Sequence, residues 1–382
     1  MRLALCTQQF GDYWSGLGSY ATLLARGLVE AGVELTVLTP GDALESLKAD
    51  TIKVHPGKLD PTHGGWFSLS RAYQRELKKL DVDLIHFSDA REAYAYRGEI
   101  PALGTLHDDY FARHRWVPWF YQKQYVDWIQ RYLYYSFVTC TERRAIRRLD
   151  GLIANSDCTG RTISKRYGID PKSMQRIYIQ PDLRVQPLTE GLEEKRLQRK
   201  TLLFVGGNIQ RKGLPLVFDA LKLLLPEYPE IELTILGRNQ NLVKMQKIAE
   251  KMGIANHVHI EGWVPPEEIA GYYRESSMFI MPSVMEGYGL VYLEAMAQGL
   301  PVIAGNVGGT RELIRHSENG LLVDPADSEA LAQSIQSLLQ DQELRHRLIA
   351  GGYKTVEAQQ VQEMVNNTMS FYSKVISEHR TR

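Results

Sequence analysis

The sequence predicts an α/β protein made of two Rossmann-like, doubly wound parallel-sheet domains facing a central cleft. Three observations lead there. Short apolar runs alternate with longer helical patterns over the first 180 or so residues. The alternation stops once, in a polar, charged stretch. It then restarts with the same rhythm. Alternating strand and helix patterns are what a parallel sheet covered by helices requires.

In the first half, strands fit residues 2–8, 33–39, 83–87, 102–106, 151–155 and 176–180, with a helix at about 17–31 after the first. Residues 183–199 carry few apolar anchors and read as a linker. After it, strands fit 201–205, 231–236, 257–261, 277–282 and 301–304. The expected organisation is therefore 1–182, a linker at 183–199, a second domain over 200–355, and a C-terminal helical segment at 356–382 that packs back on the first domain. Open parallel sheets bind ligands at the carboxyl ends of their strands. Two such ends facing each other would enclose a ligand.

Composition fits this picture. The apolar fraction is 44% and the charged fraction 24%, so two cores can be buried and extensive disorder is not expected. Forty-five basic residues balance 45 acidic ones, and nothing global points to nucleic acid. Cys6, Cys140 and Cys158 have no metal-site spacing and are expected to be reduced thiols in a cytoplasmic protein. The N-terminal apolar run is too short for a signal peptide, and no run suits a spanning helix.

The most informative segment is MPSVMEGYGLVYLEAMAQGLPVIA, residues 281–304, which reads strand, loop, helix, strand. Gly287 and Gly289 at a helix start let backbone N–H groups approach an anion, or simply make a tight turn. Glu294 lies among Leu293, Ala295, Met296 and Ala297 on an apolar helix. A buried carboxylate needs partners. Ribose hydroxyls would supply donors, and so would a nearby base.

Three other loops hold candidates. FVGGNIQRKGL, residues 204–214, follows a strand and places Arg211 and Lys212 at a helix start, where a diphosphate would sit. SGLGSYA, residues 15–21, has the G-x-G-x-x-A form through Gly16 and Gly18. An intervening QFGDYWS and the lack of an acidic residue ending the second strand favour a phosphate- or acceptor-contacting loop over a nicotinamide site. TLHDDY, residues 105–110, puts His107 and Asp108 at a strand's C-terminal end.

The stretch from Pro282 to Asp324 resembles the retaining glycosyltransferases of family four, which have the GT-B fold. Their signature, E-G-[FY]-G-L-x-x-x-E-A-M-A-x-G-x-P-V, runs here from Glu286 through Glu294, and GNVGGTRELI and NGLLVDP follow. The resemblance implies a donor site for a nucleoside-diphosphate sugar. In it Glu294 holds the ribose and Glu286 and His107 contact the sugar. The backbone of Tyr288, Gly289, Leu290 and Val291 holds sugar and diphosphate, with Lys212 matching the family's lysine. Arg238 and Val264 lie in loops expected to flank the base. Two departures stand out. Gly207 occupies the family's usual arginine position, which Arg211 would compensate, and Gln180-Pro181-Asp182 replaces the common N-G-x-D.

The resemblance implies transfer with retention, in which the departing phosphate oxygen takes the acceptor proton. A double displacement would need a carboxylate near the anomeric carbon, and Glu286 and Asp108 are the candidates. No metal and no cofactor are expected. Asp81-Val82-Asp83 opens a strand at the end away from the site, and His257 and His259, read as sharing a strand face, lack a third ligand.

Residues 111–148 mix Trp116, Trp119, Trp128 and several tyrosines with eight basic and two acidic residues. A core helix with a cationic face, an acceptor wall and a patch on the inner face of a membrane all fit. Expected partners are a nucleotide-sugar donor and a glycan, lipid or small-molecule acceptor, not nucleic acid. Rival readings are a nucleotide-sugar epimerase on the same fold, a non-catalytic sugar-nucleotide or glycan binder and, more distantly, a nicotinamide oxidoreductase.

Overall fold

A computed structural model describes residues 1–11, 15–42, 44, 46–55, 66–107, 125–237 and 242–381. The chain forms two compact units, Met1–Pro181 with Gln360–Arg382, and Asp182–Gln359.

The first unit is built on a seven-stranded sheet ordered β3-β2-β1-β4-β5-β6-β7. The strands are β1 Arg2–Cys6, β2 Glu34–Thr39, β3 Asp50–Lys53, β4 Leu84–Phe87, β5 Ala102–Leu106, β6 Gly151–Ala154 and β7 Met174–Arg176. Every pairing is parallel, with Leu3 facing Leu35 on one side and Leu84 on the other. Helices α1 Gly16–Glu30, α2 Trp66–Leu77, α3 Tyr125–Ile146 and α4 Asp157–Tyr167 connect the strands. The sequences of β4, β5 and β6 are buried along their whole length, as a sheet covered on both faces requires. Leu69, Tyr73, Ile85, Phe87 and Tyr96 belong to one cluster of its core.

The second unit has a six-stranded sheet ordered β10-β9-β8-β11-β12-β13. Its strands are β8 Thr201–Val205, β9 Glu232–Leu236, β10 Val258–Gly262, β11 Met278–Met281, β12 Val302–Gly305 and β13 Leu321–Val323. The helices are α5 Leu192–Arg199, α6 Leu214–Leu224, α7 Leu242–Met252, α8 Pro266–Glu275, α9 Leu290–Ala297, α10 Thr310–Leu313, α11 Ser328–Gln340 and α12 Gln342–Glu357. In both sheets the first strand of the unit lies beside the fourth, and the winding reverses between them. That reversal is where an open α/β sheet offers a crevice.

The terminal helix, α13 Val361–Arg380, returns to the first unit. It comes so close that a Cβ on Gly27 would lie 2.2 Å from Val365 Cγ2, and one on Gly151 would lie 2.7 Å from Val375 Cγ2. Its Tyr372 hydroxyl shares a 2.6 Å hydrogen bond with Nδ1 of His86, whose Nε2 meets Thr105 Oγ1 at 2.8 Å. Burial pulls the His86 pKa down to about 3, so the ring is neutral and links α13 to the middle of the sheet.

Three details differ from the sequence reading. First, residues 183–199 are not a free linker. They belong to the second unit and contain α5, whose Arg196 is buried. Its guanidinium donates to the carbonyls of Arg274, Gly299 and Gln298 at 2.8, 2.8 and 2.9 Å. Replacing Arg196 with alanine strands these carbonyls. The expected cost is about 2–4 kcal/mol in urea unfolding, with lysine rescuing little because it lacks the planar fork. Second, the run at 176–180 is a strand only over Met174–Arg176; Ile177 N–H makes one more bond, to Ala154 O, and the chain then leaves the sheet. Third, His257 closes a 3-10 turn before β10, so it does not share a strand face with His259. His257 meets the Ile231 carbonyl and His259 approaches Glu232.

Candidate donor and sugar-contacting sites

In the second unit, the loops after β8, β11 and β12 rise side by side at the carboxyl ends of neighbouring strands. The loop after β8 carries Arg211 and Lys212, and the loop after β11 carries Glu286. These two strands bracket the winding reversal. Backbone contacts bind the loops together. Val284 N–H donates to Arg211 O at 2.9 Å, and Gly309 N–H, after β12, donates to Glu286 O at 3.0 Å. Gly308 has φ +50, and a Cβ there would lie 2.3 Å from Glu286 O. Any larger residue would push Glu286 away.

Lys212 Nζ lies 2.5 Å from Glu286 Oε2, and Ser283 Oγ donates to the same oxygen at 3.3 Å. The two charged side chains are only 12% and 9% exposed. Water screens such a pair little, so each charge depends on the other.

Gly289, at φ +97, occupies the N-cap position of α9 and offers no capping side chain. Of the four N–H groups that a helix start leaves over, that of Tyr292 reaches back to Gly289 O. Those of Leu290 and Val291 are directed to the site end of the helix. Tyr288 is buried and its hydroxyl donates to Gln359 Oε1 at 3.1 Å, so its side chain anchors the loop.

One turn on, Glu294 Oε2 accepts a 2.9 Å hydrogen bond from Tyr273 Oη on α8. Burial pushes its carboxyl above the ordinary range, while the Tyr273 hydroxyl and then the charge of Lys212 pull it back. Tyr273 is the partner the sequence reading missed: the expected alternative was a base. Among the described residues Oε1 has no hydrogen-bond partner and remains able to accept from a ligand hydroxyl. Glu286, Lys212 and Glu294 thus form one electrostatic group. Val264 is half-buried just beyond β10; Arg238 lies outside the described residues.

The first unit holds the remaining candidates. His107 follows β5, and its Nε2 lies 2.6 Å from the Ser88 carbonyl. A carbonyl only accepts, so Nε2 carries hydrogen. Asn155 Nδ2 donates to the His107 carbonyl at 2.8 Å, and the Tyr20 ring meets the imidazole edge-on at 5.0 Å between centroids. In the same unit Glu92 is buried, accepting from Gln8 N–H at 2.9 Å; burial and then the charge of Asp89 push its carboxyl well up. Asp108 lies outside the described residues. Gly16 is exposed with open space around it, whereas the Gly18 N–H is taken by the Ser15 cap at 3.0 Å. Asp81 and Asp83 are engaged by Arg2.

The sequence model described as "Glycosyl transferases group 1" matches residues 190–355, and that described as "Glycosyltransferase Family 4" matches residues 14–179. A D-inositol 3-phosphate glycosyltransferase of Thermobispora bispora is 26% identical over 89% of this chain and 85% of its own. A phosphatidyl-myo-inositol mannosyltransferase of Mycobacterium leprae is 28% identical over 98% and 97%. Among solved structures, sucrose-phosphate synthase from Thermosynechococcus elongatus superposes with a TM-score of 0.83 at 21% identity, covering 99% of both chains. The Anabaena protein HepE, in complex with UDP-glucose, gives 0.73 at 18% identity over 98% of this chain and 100% of its own.

Proposed function

Because this chain belongs to glycosyltransferase family four, whose members share the GT-B fold, we propose that it moves a sugar from a nucleoside-diphosphate sugar to an acceptor hydroxyl with retention of configuration. The observation that carries the reading is the group formed by Lys212, Glu286 and Glu294 at the winding reversal of the second sheet.

In this scheme Glu294 Oε1 accepts from the ribose, and its Tyr273 bond fixes the carboxylate's orientation. The diphosphate lies against the start of α9 and Lys212. As the bond between the anomeric carbon and the phosphate oxygen breaks, negative charge grows on that oxygen. Lys212 is already held beside it by Glu286 and needs little reorganisation to stabilise it. The acceptor oxygen bonds to the anomeric carbon on the face the phosphate leaves, and its proton passes to the departing phosphate oxygen. Glu286 holds sugar hydroxyls, and no divalent cation is assigned a role. For the acceptor we favour a lipid or lipid-linked glycan. The support is that one relative above is described as a phosphatidyl-myo-inositol mannosyltransferase.

Proton NMR of the product tests the scheme. An axially linked donor sugar is expected to give an axially linked product, appearing only when acceptor is present. An equatorial product would mean inversion. Conversion of the donor sugar without acceptor would mean an epimerase.

A further inference from the structure

The first unit carries a cationic groove of about 380 Å³ that none of the candidate site residues above lines. Arg71 of α2, Lys78 just after it, Arg97 before β5 and Arg144 of α3 line it, together with Phe67 and Tyr94; among the described residues no carboxylate does. All four basic side chains are exposed, and none has an ion pair among the described residues. The floor is aromatic. The Phe67 and Tyr94 rings lie 4.2 Å apart, Arg71 stands 5.1 Å over Phe67, and Arg144 stands 5.3 Å over Tyr94. Four like charges converging on one groove repel one another unless an anion joins them. Arg148 at its edge senses this: burial, then the charges of Arg97 and Arg144, disfavour its charged form.

A second observation indicates which anion. Leu133, Phe137, Cys140 and Arg144 fall on one stripe of α3. Leu133 is 62% exposed and Phe137 54%, and the Phe137 ring stacks on Phe67 at 6.4 Å. The stripe therefore runs from bare apolar side chains straight into the cations. A soluble phosphate would use the cations and leave Leu133 and Phe137 in water. A bilayer surface uses both, with headgroup phosphates at the arginines and apolar side chains at the acyl boundary.

We propose that this groove docks the protein on anionic membrane, with phosphoryl headgroups of acidic phospholipids among Arg71, Lys78, Arg97 and Arg144 and with Leu133 and Phe137 entering the interfacial layer. The proposal deepens the lipid-acceptor reading and rests on it for its purpose, but not on the sugar chemistry. The test is flotation of the full chain, without donor, on vesicles of phosphatidylcholine alone or with one-third phosphatidylglycerol. Acidic vesicles are expected to carry the protein, and neutral ones not. Each basic side chain at such a surface contributes about fivefold, so Arg71→Glu with Arg144→Glu should cut binding more than tenfold. Leu133→Ser with Phe137→Ser should weaken what survives in high salt, and Lys172→Glu, elsewhere on the same unit, should change little. All these positions are exposed, so the variants should keep their fold and their nucleotide-induced thermal shift. Equal binding to neutral vesicles, undiminished binding by the arginine pair variant, or binding to soluble polyphosphate but not to vesicles would each overturn the proposal. None of these results bears on sugar transfer, which fails only if nucleotide binding and turnover fail.

Discussion

Lys212→Ala is expected to lower kcat by about 10²–10³, the effect of removing one preorganised charge from a transition state. The loss should fall mainly on kcat, because the charge that Lys212 meets grows as the glycosidic bond breaks. The geometry adds a second consequence. Glu286 is 9% exposed, and without Lys212 it keeps, among the described residues, only Ser283 Oγ as a partner on Oε2. A buried carboxylate stripped of its cation is expected to cost about 3 kcal/mol of stability. Measuring urea unfolding beside kcat separates the two effects. A variant that stays folded and keeps its turnover would remove Lys212 from the scheme.

Glu294→Ala should behave differently. The ribose does not change as the bond breaks, so its contact stabilises ground and transition states alike. Hydrogen bonds to a charged group contribute about 1.5–3 kcal/mol, so the donor KM is expected to rise about 10–100-fold, with kcat within a few-fold of the parent. Glu294→Gln retains an acceptor oxygen and should fall between. Tyr273 Oη loses its carboxylate partner in the alanine variant, and a modest drop in Tm should accompany it. A fall in kcat with an unchanged KM would place Glu294 at the chemistry and away from the ribose.

The sequence made some of this site legible for physical reasons. Glu286 and Glu294 sit on one loop and the helix it opens, so their spacing already fixes how far apart they stand. Lys212 lies at the matching position after β8, and parallel winding brings the two strand ends together. The partnerships were not legible. Lys212 and Glu286 are 74 residues apart, Tyr273 and Glu294 are 21 apart, and His86 and Tyr372 are 286 apart. Each depends on which helix packs where. Arg196 misled for the opposite reason. A pattern of apolar anchors cannot see a buried arginine whose partners are backbone carbonyls, so α5 read as linker. The edge strand β3, Asp-Thr-Ile-Lys with both ends exposed, had too little apolar content to register.

Thermal unfolding of the unmodified chain with UDP, GDP, ADP or NAD at saturation tests the central claim most directly. A ligand at 100 times its dissociation constant stabilises the folded state by about 2.7 kcal/mol, a visible rise in Tm. The account predicts that one nucleoside diphosphate raises Tm, while NAD does not. A rise with NAD alone, or with none of the four, would contradict a nucleotide-sugar site built on Lys212, Glu286 and Glu294.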